Sequence, residues 1–294
     1  MTTLKVRFAV SVGLGPADPA ALGAVVERSE ALGFDTVWLS DVPSLPATDP
    51  SLGVAFAAAR TTRTHLGINL IPFGSTSYLV AHRLAQLDRL TGGRLLVTLV
   101  PGLDLPGERE ALGTAGRHRG RMMDRVIPEL RSWWAGEETG GLRLPVRPVQ
   151  EPLELWLGGS GPEAVARAGR LADGWLGSLV SPARAGQIRS AIQASATAAG
   201  RVIDPEHFGL SVGYARRPGD IERAARLRPP RPRRPEDAAD PAELVPIGAD
   251  ALRRLIGQLV DQGLSKFVVR PLAAPDDWVE ELAWLAGTVL DLQT

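Results

Sequence analysis

Gly158-Gly159-Ser160-Gly161-Pro162 joins an apolar run, Leu153–Leu157, to a helical pattern that opens at Pro162. A strand that turns through glycines into a helix aims backbone N–H groups and the positive helix end at one point, which makes an anion site. Glycine also lets a phosphate approach the backbone closely. The same turn serves equally as a tight strand-to-helix connection with no ligand, and its residues do not choose between the two. Asp41 and Asp104 stand at predicted strand ends, and each reads as a solvated loop acid. Trp175 could stack on a ligand or fill a core. The chain has no Cys, which removes thiolate catalysis, disulfides and Cys-ligated metals. Of the four His, His65 begins a strand, His82 lies on a helix, His118 near a helix start and His207 just before a strand. No two have metal-ligand spacing, so no metal is expected. No Gly-x-Ser-x-Gly elbow is present, so a serine hydrolase has no support.

Elements must carry these residues to one place. Short apolar runs alternate with amphipathic stretches from end to end. The predicted strands are Val6–Val12 (closed by Gly13 and Gly15), Thr36–Leu39, His65–Ile71, Arg94–Val100, Leu153–Leu157, Gly174–Leu179, Phe208–Tyr214 and Lys266–Arg270. Between them apolar residues recur at helical spacing, as in Leu22, Val25, Val26, Ser29 and Leu32, or Met123, Val126, Ile127, Leu130, Trp133 and Trp134. Eight strand–helix units predict the α/β class and a single (β/α)8 TIM barrel spanning residues 1–294 as one domain. Any chemistry then sits at the carboxyl ends of the strands. The Pro/Arg-rich stretch Arg216–Pro246 follows the seventh strand and is expected to be a flexible insertion over that face.

Composition bounds the partners. Thirty-three basic residues balance thirty-three acidic ones, so no global field draws the chain to nucleic acid or membrane. No apolar run approaches the ~20 residues of a membrane span, and nothing at the N-terminus reads as a signal peptide. A cytoplasmic protein with a small-molecule substrate is expected, and its apolar helices would permit a homodimer.

Several segments in register resemble the bacterial-luciferase-like superfamily of flavin and deazaflavin oxidoreductases. They are Glu30-Ala31-Leu32-Gly33-Phe34-Asp35-Thr36-Val37-Trp38, Leu87-Asp88-Arg89-Leu90-Thr91-Gly92-Gly93-Arg94 and Glu110-Ala111-Leu112-Gly113 with Arg119-Gly120-Arg121-Met122-Met123-Asp124. Leu157-Gly158-Gly159-Ser160-Gly161-Pro162 and Ala172-Asp173-Gly174-Trp175 complete the set. The compact length and the closing Lys266-Phe267-Val268-Val269-Arg270-Pro271 resemble the deazaflavin branch. The resemblance implies a site for coenzyme F-420, or alternatively FMN, with the ring across the barrel mouth. Gly158, Gly159 and Ser160 would hold the phosphate, and Asp41 would sit at the ring edge. Phe73 and Gly74 would back the ring in a turn where the family often has a non-proline cis peptide. Thr98, Gly102 and Trp175 would complete the cofactor pocket. An Arg cluster over Arg226–Arg234 would meet the polyglutamate tail of coenzyme F-420, or form a solvated linker.

Two departures from the family pattern bear on the site. Val42 follows Asp41 where many members have His, so the resemblance implies that Asp41 or Asp104 would substitute as the catalytic proton donor or acceptor; Val97-Thr98-Leu99-Val100-Pro101-Gly102 keeps one glycine of Leu-Gly-x-Gly-x-Gly. The implied activity is hydride transfer between coenzyme F-420 and a small organic substrate. The alternatives are an FMN-dependent luciferase-like monooxygenase and a non-catalytic or repurposed barrel that has lost the usual cofactor site.

Overall fold

A computed structural model describes residues 4–12, 18–45, 47–227 and 244–294. Eight parallel strands close into a barrel in chain order. They are β1 (Arg7–Ser11), β2 (Thr36–Ser40), β3 (His65–Leu70), β4 (Leu95–Leu99), β5 (Leu155–Leu157), β6 (Gly174–Ser178), β7 (Phe208–Tyr214) and β8 (Lys266–Pro271). Following the paired residues once round the barrel returns to the starting strand eight residues lower, the shear of a TIM barrel. The helices are α1 (Pro19–Leu32), α2 (Pro50–Ala58), α3 (Ser77–Thr91), α4 (Pro106–Ala111) and α5 (Arg119–Ala135). They continue as α6 (Pro162–Leu171), α7 (Pro182–Ala198), α8 (Pro218–Leu227), α9 (Ala249–Asp261) and α10 (Trp278–Val289).

The period of two along each strand sends alternate side chains to two cores. Phe8, Val37, Leu66, Val97, Leu155 and Phe267 face outward and join the inner faces of the helices. Ala9, Trp38, Leu96, Trp156, Leu176 and Val268 form a separate apolar layer inside the barrel. Two inward tryptophans fill that space because their neighbours are glycines. A Cβ on Gly67 would lie 2.1 Å from the Trp38 ring, and one on Gly174 2.4 Å from the Trp156 ring. Full burial of each large apolar side chain contributes roughly 1.5–3 kcal/mol.

At the amino ends of the strands, polar groups lock neighbouring units. Glu30 accepts from the backbone N–H of Thr62, Arg63 and Thr64. Burial pushes its pKa up, but the three N–H donors outweigh this and hold it at about 2. Asp88, fully buried, accepts from Val149 N, Gln150 N and the Gln150 amide. Asp173 accepts from Leu155 N, Arg131 and Arg201. Arg94 donates to the carbonyls of Thr61, Thr64 and Thr91. Asp35 closes the barrel floor beside Lys266 at 3.1 Å, Arg7 at 3.6 Å and His65 at 3.9 Å.

The stretch after β4 contains α4, because Pro106 suits a helix start and Glu108 turns inward to cap the preceding loop. Two expectations differ from the structure. The insertion 216–246, expected to be a flexible loop, opens with α8. Pro218 begins it, and Asp220 accepts from the backbone N–H of Arg216 and Arg217. Residues 228–243, with most of the Arg226–Arg234 cluster, lie outside the described residues, as do Gly13 and Gly15. The turn Pro72-Phe73-Gly74 contains no cis peptide; among the described residues the cis bond is Glu151–Pro152. Gly74 makes the reversal with φ +79° instead.

Candidate active site

The inward alternation continues past the apolar layer, and its chemistry changes there. Two residues beyond Ala9, Trp38, Leu96, Trp156, Leu176 and Val268 stand Ser11, Ser40, Thr98, Gly158, Ser178 and Arg270. Asn69 is paired in register with both Ser40 and Thr98, and Ser211 with Ser178. The carboxyl mouth is therefore lined by hydroxyls, an amide, a guanidinium and a glycine above a greasy floor.

Three buried side-chain atoms on β2, β3 and β4 have no hydrogen-bond partner. Asn69 donates its amide N–H to Ser40 Oγ at 2.9 Å, but its Oδ1 is buried without a partner. Thr98 is 1% exposed, and its Oγ1 likewise has none. Trp38 Nε1, on the strand beside them, is a third such atom. Buried polar atoms are normally satisfied, so three on adjacent strands mark a place for a polar ligand or water. Thr98 thus keeps the space beside β3 polar while adding volume relative to glycine.

Asp41 ends β2 at this mouth. Its backbone N–H donates to Asn69 O at 2.8 Å, and its carboxylate accepts from Ile71 N at 3.2 Å. Burial raises its pKa, and the charges of Asp49 and Glu108 push the same way, against the Ile71 hydrogen bond and Arg83. Asp104 is placed differently. It is exposed and bridges Arg109 at 3.2 Å and Arg119 at 3.0 Å, while Arg119 also donates to the carbonyls of Pro101, Gly102 and Leu103. That carboxylate anchors the loop after β4.

Glu108 is an acid that sequence reasoning passed over. It is buried and accepts from Leu103 N at 2.5 Å and from Ser44 Oγ at 3.0 Å, tying the loops after β2 and β4 together. Gly102 sits beneath it with φ +77°, and a Cβ there would lie 2.9 Å from Glu108 Oε1. Gly102, half-buried, therefore serves this loop closure. Phe73 is 8% exposed and packs in the outer core, while Gly74 is exposed.

The β5–α6 turn has the features of an anion cradle. Gly159 has φ +106°, and a Cβ on it would lie 2.8 Å from Ala164 Cβ. Gly161 caps α6 without a side-chain hydrogen bond, and Pro162 begins the helix. Trp175 is fully buried on the outer face of β6, so neither ring face is open to a ligand; strand parity turns it away from the mouth. It instead donates from Nε1 to Gly159 O at 2.9 Å and fixes the turn. Arg184, from the first turn of α7, donates to Ser160 O at 3.3 Å, and its buried Nε has no partner. It was missed because a lone Arg on a helix carries no motif, although it stands two residues past Pro182, in the first turn of its helix. Glycines, an uncapped helix end and a guanidinium with a spare N–H suit a phosphate. No group of three or more metal-ligating side chains is present among the described residues.

The family model described as luciferase-like monooxygenase matches residues 2–279. The chain belongs to that family. Among curated relatives, the F-420-dependent hydroxymycolic acid dehydrogenase of Mycobacterium tuberculosis is 30% identical over 70% of this chain and 61% of its own length. The F-420-dependent glucose-6-phosphate dehydrogenase of Nakamurella multipartita is 27% identical over 60% of this chain and 57% of its own. The chain thus matches less than two thirds of these relatives' length. Among solved structures, an F-420-dependent secondary alcohol dehydrogenase in complex with an F-420–acetone adduct superposes with a TM-score of 0.79. It covers 99% of this chain and 100% of that one at 16% identity, a likeness of fold. Within this luciferase-like barrel, no helix among the described residues is long and apolar enough to cross a membrane.

Proposed function

We propose that this chain binds coenzyme F-420 across the barrel mouth and is an oxidoreductase that transfers a hydride between it and a small organic substrate. The observation that carries the reading is the β5–α6 glycine turn with Arg184 across it, a cradle suited to a coenzyme phosphate. The relatives' F-420 dependence favours the deazaflavin over FMN. When bound, the coenzyme supplies hydride chemistry at the C5 of its deazaflavin ring.

The chain's own groups do the rest. Backbone N–H groups of Gly158, Gly159 and Ser160 hold the phosphate, Arg184 neutralises it, and Trp175 keeps the turn in shape. Asn69 Oδ1 and Thr98 Oγ1 offer polar contacts to what lies over β3 and β4. Asp41 holds a proton to higher pH than an ordinary carboxyl, so it suits the gain or loss of a proton at a substrate oxygen. It takes the place that the family more often gives to the neighbouring residue, here Val42.

The test is titration of the purified protein with coenzyme F-420 and with FMN, followed by absorbance and fluorescence. Micromolar binding of the deazaflavin, with FMN weaker, is the expected result. The reverse order identifies an FMN-dependent monooxygenase. Micromolar binding of neither sinks the reading and leaves a repurposed barrel.

A further inference from the structure

The inner face of β8 carries a feature that coenzyme binding does not use. Val268 belongs to the apolar layer inside the barrel, so Arg270, two residues on, projects at the mouth above it. Gly213 stands opposite in register on β7; a Cβ there would lie 2.9 Å from Leu272 Cδ2 and 3.4 Å from the Arg270 guanidinium, so the guanidinium lies beside the bare backbone of β7. In a closed eight-stranded barrel β8 stands across from β4. Arg270 therefore stands on the strand across the opening from Thr98, whose register partner on β3 is Asn69. A coenzyme held at the β5–α6 turn and lying over β3 and β4 leaves the β8 side to its reaction partner.

We propose that Arg270 is the residue that selects the substrate, and that the substrate carries an oxyanion, a carboxylate or a phosphate monoester. A planar guanidinium fork pairs two oxygens of such a group at once, and the partly enclosed mouth strengthens that pair over its value in water. Ser178 and Ser211, paired in register on β6 and β7, add hydroxyls on the same side of the mouth. An apolar substrate would leave this polar wall without partners, so the lining selects against one. The redox role of the site rests on the coenzyme reading above; the anion site itself does not.

Calorimetric titration of the full chain tests this, with and without saturating coenzyme F-420. Lactate is compared with lactamide, and glycerol 3-phosphate with glycerol, in the unmodified protein, Arg270→Gln and Arg270→Lys. One anion binds and its neutral partner does not; which anion binds separates carboxylate from phosphate. Arg270→Gln weakens that binding about ten-fold or more and leaves coenzyme affinity unchanged. Arg270→Lys recovers part of it. Equal binding of the neutral partners, an unchanged Arg270→Gln, or binding of neither anion overturns the proposal. If melting curves show Arg270→Gln unfolded, the anion-against-neutral comparison and Arg270→Lys decide. Anion binding that persists while coenzyme F-420 fails to bind removes the redox reading and keeps the anion site.

Discussion

At the amino-terminal face of this barrel each key polar side chain is bonded several times over, while at the carboxyl face polar atoms stand without partners. Glu30, Asp88 and Asp173 each accept three or more hydrogen bonds from neighbouring units. Asn69, Thr98, Trp38 and Arg184 each keep an unsatisfied atom at or below the mouth or beside its rim. A fold carries stability where polar groups are paired, and binding where they are held ready. The same difference appears in the acids. At the floor, N–H donors and cations lower the carboxyl pKa values of Glu30 and Asp35 against burial; at the mouth, burial raises that of Asp41.

Substitutions on the two faces should therefore separate stability from ligand affinity. The largest effect expected is at Asp88. Asp88→Ala strands two backbone N–H groups at a buried site and should cost about 3–5 kcal/mol in urea unfolding, with coenzyme affinity unchanged once folded. Arg184→Gln should do the opposite. Coenzyme affinity falls about ten-fold or more, worth roughly 1.5–3 kcal/mol, with stability inside about 0.5 kcal/mol. Equal losses of both in either variant would break the division.

Glu30→Gln gives the next effect, about 1–2 kcal/mol after allowing for solvent screening. Because its folded pKa is depressed from 4.5 to about 2, its contribution is full above pH 4.5 and disappears as pH falls toward 2. Acid titration of the unmodified protein and Glu30→Gln should show the two stabilities converging over that window. Thr98→Val removes a buried hydroxyl with no partner at nearly constant volume. Stability should rise by up to about 1 kcal/mol while ligand affinity falls, the reverse of a floor substitution. Asp41→Asn should be the smallest, a gain under about 1 kcal/mol at neutral pH. A raised folded pKa stabilises most at low pH and loses that contribution as pH rises through it, so the gain should vanish in acid.

The two faces also differ in how far they can be read from residues alone. The segments that carry the family resemblance contain Glu30, Asp88, Arg94 and Asp173, which all prove to be floor residues. Their partners lie tens of residues away, but their roles are local to a helix end or a strand start, and such roles leave fixed motifs. The β5–α6 turn was legible for the same reason. The mouth lining was within reach through the period of two, since Trp38 and Ser40, or Val268 and Arg270, alternate visibly. What hid it was the unknown face: a parallel strand is buried on both sides, so hydropathy does not say which side is inward.

The chain by itself determined the eight units, the α/β class, the glycine turn and the family. Those depend on hydrophobic period and turn chemistry, which act over a few residues. Tertiary structure decided the direction of each side chain and its distant partners. It turned Trp175 away from the mouth and Asp104 into a loop anchor, set Gly102 against Glu108, and brought Arg184 to Ser160 and Arg270 to the strand across from Thr98. Closure of the barrel with its shear fixes which alternate residues face inward and at what height, and no stretch of sequence shorter than the whole ring contains that information.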